Sequence, residues 1–280
     1  MPVLAESELA VMFWAGKDPC ETLKWAMSFG VSAGQLGIPG DYPLDGAGPA
    51  WKSAASSLNF RIYTVFAAYE GESYADVEAV RKTVGFVPPA TRASREARTL
   101  EVSQFAHEIG APSIATHIGC VPANRNDPDY IAVAALVRGI CDRAAQINQT
   151  FALETGQESA AELLAFIREV DRPNLGINFD PANMILYGTG EPVEALERLQ
   201  AKVLSVHCKD GKWPTGPGVL GVETPLGHGE VNWKRFLTQL EKGGYREPLA
   251  IEREEPDAVR RATDLQSGLA FLRELKLSDR

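Results

Sequence analysis

Cysteine is sparse in this 280-residue chain: Cys20, Cys120, Cys141 and Cys208 are widely scattered and form no C-x-x-C pair. That spacing argues for reduced thiols without disulfides and against a structural zinc knuckle. No apolar run approaches the roughly 20 residues of a membrane span, so the chain is expected in water with no membrane partner. The opening Met1-Pro-Val-Leu-Ala-Glu6 has no basic region ahead of a long apolar stretch, so no secretory signal is expected and the cytoplasm is the default. Long basic runs are missing as well, and 28 Lys and Arg against 37 Asp and Glu leave a formal charge of −9. An acidic surface repels phosphate backbones, which makes nucleic acid an unexpected partner. Histidines number four, and no Gly-rich phosphate loop is present.

What is there is an unbroken alternation. The length is natural for a single α/β barrel, which needs about 250 residues. Strand candidates fall at residues 9–14, 34–38, 61–66, 113–118, 150–154, 176–180, 202–207 and 248–252. Helix candidates follow them at 20–29, 49–58, 91–109, 129–148, 159–170, 191–199, 232–241 and 256–275. Residues 69–89 read as a long polar connection, and a Gly/Pro-rich loop follows the seventh strand; the loops 67–89, 120–129 and 211–231 are the places for a lid. Eight strand-then-helix units imply a parallel sheet, and eight closes a (β/α)8 TIM barrel. No linker interrupts it, so residues 1–280 are expected to form one domain.

The sixth strand shows how the chemistry is set out. Ile177 and Phe179 share one face, while Gly176, Asn178 and Asp180 share the other. Pro181 then ends the ladder. In isolation Asp180-Pro181 reads as the cap and first turn of a helix. The last five strands repeat the pattern, with one parity apolar and the other carrying small residues that end on a polar one. The inward sets are Ser113, Ala115 and His117; Thr150, Ala152 and Glu154; Gly176, Asn178 and Asp180; Val203, Ser205 and His207; Ala250 and Glu252. Their last members point into the C-terminal mouth, where active sites of this fold lie.

A lone His207 is more often a hydrogen-bonded core histidine, and a lone Glu252 before Glu254 and Glu255 the acidic first turn of a helix. Converging titratable groups with no matching cation in those strands are costly unless something positive sits between them, and a divalent metal is the simplest answer. Three carboxylates and one imidazole, without thiolate, favour Mn²⁺, Mg²⁺ or Co²⁺ over a structural zinc. Two glutamates from different strands also suit enolisation, because each can ligate through one oxygen and exchange a proton through the other.

Five segments, in order, resemble the sugar phosphate isomerase/epimerase family, whose xylose isomerase-like TIM barrel is shared with the AP endonuclease family 2 superfamily. They are Ala152-Leu-Glu154-Thr-Gly, Asn178-Phe-Asp180-Pro-Ala-Asn183, Val206-His207-Cys-Lys209-Asp210, Pro225-Leu-Gly-His-Gly229-Glu-Val and Ala250-Ile-Glu252-Arg-Glu. The resemblance implies one divalent metal ion, Mn²⁺ first and Mg²⁺, Co²⁺ or Zn²⁺ as alternatives, held by Glu154, Asp180, His207 and Glu252. It implies an isomerase or epimerase of carbohydrate metabolism in which catalytic Glu154 and Glu252, on opposite faces of a sugar or keto-polyol, trade a proton through a cis-enediolate.

His117 and Lys209 are candidates for orienting substrate oxygens, and Glu158 for reaching a hydroxyl. Trp213 and Trp14 are candidates for stacking on a sugar face. Each has a plainer reading: a polar core residue for His117, a turn for Lys209-Asp210, an exposed pre-helix position for Glu158, core for either tryptophan. Asn183, also on the substrate side, stands where the family's ketose 3-epimerases carry a second histidine, and Trp213 stands near the place of their substrate-binding arginine. Both departures point away from that particular activity. Dimers and tetramers are common in the family, so a homo-oligomer is an expectation.

Three other functions remain open. The same enolate with a β-hydroxyl leaving would make a lyase or dehydratase acting on a keto-inositol or an oxidised glycoside. A phosphodiesterase of the apurinic endonuclease type needs more histidines for its zinc cluster than His107, His117, His207 and His228 provide. A non-catalytic sugar-binding barrel leaves the two glutamates without a purpose.

Overall fold

Alternating apolar positions in the strand candidates zip into one closed barrel. The computed structural model describes residues 8–278, so the opening segment Met1 to Glu6 lies outside the described residues. Seven parallel strands come first: β1 (Leu9–Trp14), β2 (Ala33–Ile38), β3 (Arg61–Ala67), β4 (Ser113–Thr116), β5 (Thr150–Glu154), β6 (Leu175–Phe179) and β7 (Val203–Cys208). β8 (Asp210–Lys212) and β9 (Val222–Thr224) pair antiparallel as a separate hairpin just past β7, and β10 (Leu249–Ile251) closes the barrel between β7 and β1. The barrel is therefore the expected (β/α)8 arrangement.

The helices are α1 (Pro19–Met27), α2 (Gly48–Leu58), α3 (Val77–Thr83), α4 (Pro89–Ile109), α5 (Pro128–Gln146), α6 (Ala160–Val170), α7 (Pro181–Tyr187), α8 (Pro192–Leu199), α9 (Trp233–Lys242) and α10 (Ala258–Ser278). Four of them open on the same two-residue signal, an acid followed by proline. Asp18, Asp127, Asp180 and Glu191 each accept a backbone N–H of the first turn of their own helix. The carboxylate satisfies an orphan donor and complements the helix dipole, while proline sacrifices no hydrogen bond there.

Side chains fill the barrel interior in layers. Ala10, Ala33, Tyr63 and Ala250 form the lower one, and Met12, Phe66, Ala115 and Ala152, with Leu204 against them, the next. The small inward residues are a steric requirement: a Cβ at Gly176 would sit 2.5 Å from Leu204 Cγ. Outward residues of the same strands, such as Ile177, Phe179 and Val206, join the main core under the helices.

Strand seven departs from the simple alternation. The β6–β7 register shifts between Ile177 and Asn178, which pair with Val203 and Ser205. The bulge puts Leu204 in the interior cluster and sends Val203 to the outer core, the reverse of the expected inward role of Val203. Four elements also occupy stretches read as connections. The 69–89 segment contains α3, the loop after β7 contains β8 and β9, and α7 intervenes between Asp180 and α8. The first five residues of α7 are all buried, so it has no polar face to reveal a helical period.

Asp210, next to the mouth, serves the fold. Its Oδ1 accepts the N–H groups of Gly211 and Val231, and its Oδ2 accepts those of Gly227 and the Trp233 indole. One buried carboxylate thus gathers the 225–233 segment onto the barrel. Asp210→Ala is expected to cost about 3 kcal/mol or more, since several buried donors lose a charged acceptor together. Chemical denaturation of the variant against the wild type measures it, and a loss under about 1 kcal/mol contradicts this role.

Candidate metal centre

Four strand ends bring four side chains to one point. Glu154 is the last residue of β5, Asp180 follows β6, His207 lies in β7, and Glu252 follows β10. Glu252 is held in line with the barrel by its N–H to Cys208 O at 3.2 Å. Asp180 is locked by Thr155, whose hydroxyl accepts the Asp180 N–H and donates to the Asp180 carbonyl, both at 2.8 Å. One ligand atom from each of the four residues lies within 4.8 Å of the others. Asp180 and His207 are fully buried, and the Glu154 and Glu252 side chains are 1% and 10% exposed.

Both readings of Asp180 are true, each of a different oxygen. Oδ1 caps α7 by accepting the Asn183 N–H at 3.0 Å. Oδ2 is buried with no hydrogen-bond partner, 4.0 Å from the Lys209 ammonium. A buried carboxylate oxygen left unpaired is costly, and here it belongs to the group that joins the cluster. His207 Nδ1 faces Glu154 Oε1 at 2.8 Å and Glu252 Oε2 at 3.2 Å. Three hard oxygens, one imidazole nitrogen and an unsatisfied oxygen among them fit a hard or borderline divalent cation.

The electrostatics describe a cluster short of positive charge. Burial pushes Asp180 well above the ordinary carboxylate range, with Glu154 and Glu252 adding to the rise and Lys209 opposing it. Burial also penalises the charged forms of Glu154 and Glu252. The imidazoles outweigh it at Glu154, taking it down to about 2, and His207 with Lys209 carries Glu252 well below its usual range. His207 is held well above its ordinary value despite burial, because Glu252 and Glu154 face it. Asp180 and His207 are thus both driven toward their protonated forms, Asp180 chiefly by burial and His207 by the carboxylates that face it.

Among the substrate-side candidates, His117 comes directly to the cluster, its Nε2 3.0 Å from Glu154 Oε2. The Glu154 charge raises it to about 9 against the opposing effect of burial. Lys209 is buried, with its ammonium 3.3 Å from Glu252 and 2.9 Å from Glu254. It is thus a matching cation, which the strand pattern did not supply. Asn183 reaches Glu154 Oε1 at 3.5 Å. Trp14, nearly half exposed, lines a cavity of about 500 Å³ together with Met12, Trp25, Glu252, Arg253 and Glu254.

Two further candidates have partners outside the cluster. Glu158 accepts the Val121 N–H and lines a separate cavity of about 250 Å³ with Tyr130 and Phe166, so it is buried rather than exposed. Trp213, just past β8, donates its backbone N–H to Glu230 on the hairpin side. Side chains not anticipated at the site include Gln35, which contacts His207, and Gln157, whose amide lies 3.3 Å from His117 Nδ1. Tyr74, from the 69–89 segment, brings its ring centroid 5.7 Å from that of His117. Gln35 had one visible signal: it is the single polar side chain in Ala33-Gly-Gln-Leu-Gly-Ile38. No helix among the described residues is long and apolar enough to cross a membrane.

The sequence model of the xylose isomerase-like TIM barrel matches residues 23–275. A solved xylose isomerase domain protein from Planctomyces limnophilus is 41% identical with a TM-score of 0.90, over 96% of this chain and 98% of that one. A xylose isomerase-like TIM barrel protein from Mycobacterium smegmatis, in complex with magnesium, is 15% identical with a TM-score of 0.71 over 99% of both chains. The 3-keto-D-glucoside 4-epimerase YcjR from Escherichia coli is 16% identical with a TM-score of 0.70, over 96% of this chain and 99% of YcjR. The last two share the fold alone. Matches to curated proteins span about a third of those proteins' length; the uncharacterized protein YihM of Escherichia coli strain K12 is 33% identical over 93 residues, 32% of this chain and 28% of YihM. The match over most of the chain, on a closed eight-stranded parallel barrel, means that this protein belongs to the xylose isomerase-like TIM barrel family.

Proposed function

We propose that this protein is a divalent-metal-dependent isomerase or epimerase that moves a proton on a sugar or keto-polyol. The observation that carries the reading is the pair Glu154 and Glu252, from β5 and the end of β10, both against the same nitrogen of His207 in a buried cluster that reaches the mouth cavity. Glu154, Asp180, His207 and Glu252 would hold the ion, with Mn²⁺ the first choice for an oxygen-rich set and Mg²⁺, Co²⁺ or Zn²⁺ as alternatives. When bound, that ion supplies Lewis-acid stabilisation of the charge that develops on substrate oxygens during enolisation.

The protein's own groups do the rest. Both glutamates are poised in the ionised form, so either can accept the proton next to a carbonyl; the other returns one to the opposite face only after taking a proton itself, which His117 can supply to Glu154 and Lys209 to Glu252. His117 holds Glu154 by its second oxygen, and Lys209 holds Glu252, so each base has a fixed direction. Lys209, His117 and Asn183, each against one of the two glutamates, would orient substrate hydroxyls beside them. Trp14 offers an aromatic wall to the apolar face of a ring. The Escherichia coli epimerase and the magnesium-holding mycobacterial protein have the same barrel, which supports its capacity for this chemistry.

The first test is metal content by elemental analysis, before and after incubation with Mn²⁺. The wild type should hold about one divalent ion per chain and His207→Ala little, because a four-ligand site rarely survives loss of a ligand. Failure of the wild type to retain or take up metal would overturn the reading. In D₂O with a panel of keto-sugars, the wild type should introduce deuterium without a change in product composition beyond it. Glu154→Gln should keep its fold and metal-free circular dichroism but lose about 10²–10⁴-fold of that exchange. Loss of water from the product would instead identify the dehydratase. Trp14→Ala should raise KM about fivefold with kcat nearly unchanged, as removal of one stacking platform worth about 1 kcal/mol predicts.

A further inference from the structure

Beneath the cluster lies a second, wholly polar group that the proposed chemistry does not use. Asn178 and Ser205 sit two residues before Asp180 and His207, and the period of two places them on the same inward face, one layer deeper. Gln35 enters from β2, in the other half of the barrel. All three are at most 1% exposed. The Ser205 hydroxyl donates to Asn178 Oδ1, and Gln35 Nε2 donates to the same oxygen at 3.2 Å. With its amide nitrogen committed in this way, Gln35 presents its carbonyl oxygen to His207 Nε2 at 3.1 Å.

A carbonyl oxygen can only accept, so His207 must carry its proton on Nε2. Nδ1 faces Glu154 Oε1 at 2.8 Å and Glu252 Oε2 at 3.2 Å, so it too carries a proton toward these acceptors; an ion would replace that second proton, leaving the lone pair of the neutral ring on Nδ1. We infer that Gln35 is the positioning residue that fixes the tautomer of His207, leaving Nδ1 free to ligate. Asn178 and Ser205 set the orientation of Gln35, so the tautomer is determined by a chain of hydrogen bonds from β7 through β6 to β2 and back to β7. Reversing both amides would present the Gln35 NH₂ to Nε2, move the ring proton to Nδ1 and aim an N–H at the cluster. The inference rests on the metal reading above, and it concerns a residue that contacts neither substrate nor ion.

The test uses the full chain with Mn²⁺ as the probe, its dissociation constant read from the electron paramagnetic resonance signal of the free ion. The imidazole ¹⁵N shifts of His207 are read in the Mg²⁺-loaded protein. Gln35→Met removes the acceptor while keeping the length, and should weaken Mn²⁺ binding about 10–100-fold, the usual effect of losing such a partner. Gln35→Glu keeps an acceptor at Nε2 and should bind Mn²⁺ within about threefold of the wild type, with the Nε2–H tautomer retained. Wild-type affinity in a folded Gln35→Met protein, or a ring protonated on Nδ1 in the Mg²⁺-loaded wild type, overturns the inference while leaving the metal site standing. If Gln35→Met does not fold, Gln35→Glu decides alone: a tenfold or greater loss of affinity contradicts the assignment. A wild type that binds no Mn²⁺ overturns the metal reading itself.

Discussion

Like charge at short range is the constraint on which this barrel's mouth depends. Three carboxylates stand around one imidazole with ligand atoms within 4.8 Å, in a place from which water is largely excluded. Such a cluster persists only with compensation. Part of it is built in: His117 against Glu154, Lys209 against Glu252 and Glu254, and the imidazolium of His207 between two glutamates. Part is missing, as the unpartnered Oδ2 of Asp180 records.

The barrel makes this concentration of charge feasible by layering. Alanines and large apolar side chains fill the lower interior, a polar layer of Gln35, Asn178 and Ser205 lies under the cluster, and the titratable groups come last, at the strand ends. Each layer restrains the one above it. The bulge between β6 and β7 belongs to this scheme, since it brings Ser205 opposite Asn178 and puts Leu204 in the space that Gly176 leaves open. Asp180 joins two tasks in one side chain, closing the first turn of α7 with one oxygen and completing the cluster with the other.

The neighbouring acid has a different fate. Asp210 is as buried as the cluster residues and three positions from His207, yet backbone and indole N–H groups satisfy both of its oxygens. Satisfied oxygens make Asp210 a structural carboxylate, whereas Asp180 keeps one oxygen without a partner, in a cluster that could hold a metal ion. Sequence proximity to the motif does not distinguish Asp210 from Asp180; hydrogen-bond partners do.

The sequence by itself determined the eight-unit barrel and the residues that meet at its mouth. Strand parity has a period of two, so Glu154, Asp180, His207 and Glu252 declare a common inward face with no knowledge of their contacts, and parallel strands bring their ends to one rim. What only the tertiary structure decided lies in partnerships between distant residues. Gln35 meets His207 across 172 positions, Lys209 meets Glu254 across 45, and Glu158 turns to Val121 rather than to the cluster. Leu204 rather than Val203 faces inward because a register shift, set by pairing with another strand, overrides local alternation. Periodicity is a local property of the backbone and can be read along the chain, whereas the partner of a buried polar atom depends on which strands close the barrel, and only the fold selects it.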